Sequence, residues 1–86
     1  MATPKKVTMY ETSFPSLERT KVAVFTFSDG KVNVEVLGSE DDAEIFTSVI
    51  DPDTGKTVTP KDGERFMKAL PAAFQMSTMF GVDVED

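Results

Sequence analysis

Acid-base or nucleophilic chemistry in this chain would have to be built from carboxylates, lysines and Tyr10, because its 86 residues include no histidine and no cysteine. Enzymatic nucleophiles draw their reactivity from an adjacent base, most often imidazole, so the familiar triads and dyads are not available. Carboxylate pairs, lysine or a phenol can still exchange protons, but no spacing in the sequence singles out a pair. The same two absences remove disulfides and a structural zinc site of the Cys or His type. The expected catalytic, cofactor-binding and metal residues are therefore none.

Two short motifs resemble ligand loops and fail on spacing. Gly55-Lys56-Thr57 matches the end of a phosphate-binding loop, but Ile50 stands where the first glycine is needed. Val58-Thr59-Pro60 follows where a helix must begin. Asp51, Asp53 and Asp62 fall at the first, third and twelfth positions of a calcium loop. That loop needs glycine where Lys56 stands and a glutamate where Asp62 stands. Both stretches read better as turns with solvated carboxylates.

Two other groupings suit binding rather than catalysis. Glu40, Asp41, Asp42 and Glu44 form the densest acidic patch; they could face a basic protein, although acids in a first helical turn also stabilise the helix itself. Phe66, Met67, Phe74, Met76, Met79 and Phe80 supply more apolar surface than one face of a small sheet can cover. Methionine-rich apolar surface adapts readily to a partner. This segment is expected to be either a central core helix or the contact with a second copy.

The elements that would position these groups start from a hairpin. Lys21 to Phe27 and Lys31 to Leu37 alternate apolar and polar residues and are separated by Ser28-Asp29-Gly30. Asp-Gly between alternating runs predicts a two-residue loop, which sets Ser28 opposite Lys31, Phe27 opposite Val32, Phe25 opposite Val34 and Ala23 opposite Val36. These six apolar residues then share one face, with Val22, Val24 and Thr26 on the other.

Val7 to Thr12 predicts a further strand, and Val49-Ile50 with Thr57-Val58 a second small hairpin across Pro52 and Gly55. Helices are predicted at about 40–48 after Ser39, with Ala43, Phe46 and Ile50 inward, and at about 60–70 after Thr59-Pro60. A third is predicted at about 71–80, opening at Pro71 and closing at Gly81. Residues 1–6 and 82–86 are expected to be frayed tails.

The expected fold is α+β: an antiparallel sheet built on the 21–37 hairpin, with helices packed on one face, in a single domain over residues 1–86. At this size roughly 60 to 65% of the unfolded surface can be buried, which leaves a modest core. Nine basic against fifteen acidic residues give a net charge of −6, the wrong sign for binding a phosphate backbone, so no nucleic-acid partner is expected. The charge is uneven, net +2 over residues 1–28 and −8 over 29–86, which could favour head-to-tail association.

No apolar run reaches the roughly 20 residues of a membrane span, so no membrane association is expected and the chain reads as cytoplasmic. The expectation for function is a small non-catalytic interaction module, with a protein partner or itself as a homodimer, through the Met/Phe-rich C-terminal segment. An acidic antitoxin-like or decoy protein for a basic partner is the alternative, and a small enzyme using carboxylates the third.

Overall fold

The fold is built outward from the reversal at Asp29-Gly30, where both residues take positive φ (54° and 75°), the backbone that a tight two-residue hairpin turn requires. The computed structural model describes residues 3–38, 44–75 and 77–85. In chain order its elements are β1 (Lys6–Thr12), β2 (Arg19–Ser28), β3 (Lys31–Val36), β4 (Val49–Ile50), β5 (Thr57–Val58), a 3-10 turn (Pro60–Asp62), helix α1 (Glu64–Ala73) and β6 (Phe80–Glu85). An antiparallel sheet in the order β3-β2-β1-β6 carries α1 and the β4-β5 hairpin on one face, so the α+β expectation is met.

β2 and β3 pair in the expected register, Ser28 with Lys31, Phe27 with Val32, Phe25 with Val34 and Ala23 with Val36. The six apolar side chains do share a face, but they are covered unequally. Ala23 and Phe25 are fully buried, whereas Val34 is 37% and Val36 42% exposed. One reason is where the helix lies. A Cβ added at Gly63, just before α1, would meet the Gly30 carbonyl oxygen at 2.9 Å, so the helix starts against the hairpin turn.

Val22 departs from simple alternation. The β1-β2 register shifts between Met9, which faces Ala23, and Tyr10, which faces Lys21. A bulge opposes two residues to one; here it turns Val22, only 3% exposed, into the core beside Ala23.

Helix α1 directs Phe66, Met67, Ala69 and Leu70 inward, the spacing of a single apolar stripe. The Phe66 ring lies 5.4 Å from that of Phe25. The 3-10 turn is closed by the Asp62 carboxylate, which accepts the Thr59 N–H at 2.7 Å. Thr59-Pro60 thus does open helical backbone, as a 3-10 turn that Gly63 (φ 58°) separates from α1.

Three expectations are corrected. No helix spans 71–80: α1 continues through Pro71 to Ala73, the chain unwinds through hydrogen bonds from Phe74 N–H to Pro71 and from Ser77 N–H to Phe74, and β6 begins at Phe80. Proline so near a helix end forfeits only one late hydrogen bond, so it need not stop the helix.

The expected tail at 82–86 is, through Glu85, an ordered edge strand paired with β1, Lys6 facing Glu85 and Met9 facing Val82. Of the other tail, residues 4–6 are tied down as well. The Lys5 N–H donates to the Glu85 carbonyl, the Lys5 carbonyl accepts from Phe27, and Pro4 is buried.

Of the helix expected at about 40–48, residues 40–43 lie outside the described residues, Ala43 included; Glu44 is helical, but 45–48 turn and bend into β4 instead of continuing the helix. Of its other inward positions Phe46 is fully buried, but Ile50 is 62% exposed and Val49 takes the core place at 5%. Ile50 lies in β4, where neighbouring side chains point to opposite sides. The β4-β5 hairpin itself forms as expected, Val49 with Val58 and Ile50 with Thr57.

Candidate functional site

The apolar residues expected to meet a partner are divided by the fold. Phe66 and Met67 have no exposed surface and belong to the core, so they are withdrawn as contact residues. Phe74 and Phe80 are partly buried and close on Phe46, their rings 5.0 and 5.1 Å from it in edge-on geometry and 6.0 Å from each other. This triad joins the end of α1, the start of β6 and the segment before β4. Met79 stands beside it, 56% exposed, and Met76 lies outside the described residues. A shallow groove of about 480 Å³ runs from Ile45 past Ile50 and Ala73 to Phe74.

In the acidic patch, Glu40, Asp41 and Asp42 also lie outside the described residues. Glu44 is exposed, and its carbonyl accepts hydrogen bonds from the Thr47 N–H and Oγ1. At Gly55 (φ 73°) the chain makes a turn, with the Gly55 N–H donating to the Asp51 carbonyl, and Lys56-Thr57 run on into β5. The Asp51 carboxylate accepts the Asp53 N–H at 3.0 Å, a turn-closing role. Among the described residues no three carboxylates gather as a metal site would need.

The outer face of the sheet holds a cluster that the sequence reading missed. Tyr10, Lys21, Asp83 and Glu85 meet Lys6 and Thr8 across β2, β1 and β6 around a concavity of about 420 Å³, and Arg19 joins them through Tyr10 and Asp83. The Arg19 guanidinium lies 4.3 Å from the Tyr10 ring centre and 3.8 Å from the Asp83 carboxylate. A Cβ on Gly81 would strike its Nη2 at 2.6 Å, so glycine here leaves the guanidinium room to reach the ring.

A hydrogen bond with Asp83, with smaller contributions from desolvation and the Asp83 charge, holds the Tyr10 phenol above its ordinary pKa. Tyr10 is thus kept neutral, the reverse of what a phenolate base needs. Lys6 pairs with Glu85 at 3.8 Å. The arrangement stitches three strands together through opposite charges and a cation over a ring. The alternation Phe80-Gly81-Val82-Asp83-Val84-Glu85 was the signal that could have revealed it.

The third feature is the free side of β3, one edge of the four-stranded sheet. Its Val34 and Val36 are half-exposed and Leu37, just beyond it, is 47% exposed. The Leu37 N–H donates inward to the Val22 carbonyl. By the alternation of an antiparallel ladder, residues 31, 33 and 35 also bond inward, and the backbone groups of Val32, Val34 and Val36 face away from the sheet. Among the described residues no strand pairs with them.

Comparison with known proteins returned no matching family model, curated protein or solved structure.

Proposed function

We propose that this chain is a small non-catalytic interaction module that works by associating with a second copy of itself. The observation that carries this reading is the end of the sheet at β3, which no further strand pairs among the described residues and which presents half-exposed valines beside outward-facing backbone donors and acceptors. Such an edge templates the addition of another strand. The Met/Phe-rich segment, the contact expected from sequence, supports the reading less well, because its own core absorbs Phe66 and Met67 and largely covers Phe74 and Phe80.

Light scattering or sedimentation of the purified chain over a concentration series tests the proposal. A monomer-dimer equilibrium is expected, in the micromolar range, since pairing one short strand lies at the small end of specific interfaces. A monomer at every concentration up to the millimolar range would refute it.

A further inference from the structure

Resting on the self-association reading, we infer that two copies join β3 to β3 antiparallel about a two-fold axis through Val34, extending the sheet from one molecule into the other. The strand is self-complementary about that residue: Val32-Asn33-Val34-Glu35-Val36 has valine at the axis, valine two places away on each side, and Asn33 and Glu35 in between. With Val34 facing Val34 of the second copy, Val32 faces Val36 and Asn33 faces Glu35, each twice by symmetry.

The valines with outward backbone groups become the hydrogen-bonded pairs, giving about six main-chain hydrogen bonds. Their side chains lie on the core face, so the half-exposed Val34 packs on Val34 of the other copy and the half-exposed Val36 on its partly buried Val32. On the opposite face the Asn33 amide donates to the Glu35 carboxylate, a neutral donor meeting a charged acceptor.

Other registers lose part of this. An axis through Glu35 sets carboxylate against carboxylate. An axis through Asn33 shortens the ladder and leaves Val36 facing Gly30 of the turn. Charge separates the two edges of the sheet as well. β3 carries Lys31 and Glu35 and is neutral, while β6 carries Asp83 and Glu85 with no cation. Axes through Asp83 or Val84 would oppose like charges, which destabilises a pair.

The chain has no cysteine, so single cysteines report the register without background. Across a hydrogen-bonded antiparallel pair the Cα atoms are about 5.5 Å apart, within disulfide reach. Under mild oxidation Val34→Cys should give a covalent dimer. Val32→Cys alone should not, while a mixture of Val32→Cys and Val36→Cys chains should. Val34→Lys, at a half-exposed position, should keep the circular dichroism spectrum and raise the dimer dissociation constant about tenfold or more by opposing two ammonium groups.

A wild-type dimer with no Val34→Cys cross-link and no response to Val34→Lys overturns this register while leaving self-association intact. So does cross-linking through Asn33→Cys in place of Val34→Cys. A wild-type monomer at all concentrations overturns the reading on which the register rests, and assemblies larger than a dimer overturn the closed two-fold.

Discussion

Replacing Phe46 by alanine removes a side chain with no exposed surface whose ring lies about 5 Å from two other aromatic rings (5.0 Å from Phe74, 5.1 Å from Phe80). Truncating a buried phenylalanine costs about 3 to 5 kcal/mol, counting lost transfer energy and the cavity left behind. A chain of this length has roughly 4 to 13 kcal/mol of total stability, so Phe46→Ala should remove about a quarter of it or more.

Phe46→Leu retains apolar bulk and chiefly loses two edge-on ring contacts of about 0.5 to 1.5 kcal/mol each, for about 1 to 3 kcal/mol in total. Ile45, the neighbour at 50% exposure, is the control, and Ile45→Ala should cost about 1 kcal/mol or less. The assay is urea unfolding followed by far-ultraviolet circular dichroism, since the chain has no tryptophan. Protein concentration must be held fixed, because self-association would itself shift the midpoint. Phe46→Ala within about 1 kcal/mol of the parent, or Ile45→Ala costing as much as Phe46→Ala, would refute the inward packing of this segment.

Gly63→Ala should destabilise by about 2 kcal/mol or more in the same assay, since it combines positive φ with a contact of 2.9 Å to the Gly30 carbonyl oxygen. Gly55→Ala, at φ 73° with open space around it, should cost about 1 to 2 kcal/mol; equal losses at the two glycines would mean that the close approach does not matter. Ultraviolet titration of Tyr10, the single tyrosine, should give a midpoint above the ordinary 10.0 that falls in Asp83→Asn. Because the folded pKa is raised, the stability linked to this group is present below the unfolded value and lost as pH rises through the folded one.

Glu64, held below its ordinary 4.5 first by a hydrogen bond from Lys68, has the opposite sign. Its stabilisation is present above the unfolded value and lost as pH falls through the folded one. Lys68→Met should therefore flatten the acid limb of the stability profile, and an unchanged limb would count against the pair.

The features legible in the sequence were those set by neighbours in the chain. Asp29-Gly30 demands positive φ at two successive positions, and the alternation on either side then admits one register that keeps Phe25 and Phe27 off the solvent face. The turn through Pro52 and Gly55, and the opening of helical backbone at Thr59-Pro60, rest on equally local chemistry. Composition removed imidazole, thiol and disulfide chemistry without any coordinates.

What tertiary structure decided were choices between distant segments. Phe80 to Glu85 became a strand because β1 had a free side for it, and that pairing brought Asp83 to Tyr10 and Arg19 from the other end of the chain. The bulge turned Val22 inward, and the course of β4 exposed Ile50 in favour of Val49. The position of α1 against the hairpin turn left Val34 and Val36 open, and with them the β3 edge. Periodicity within one segment says which residues share a side. Which side is covered depends on surfaces supplied by the rest of the molecule, and no local spacing encodes those.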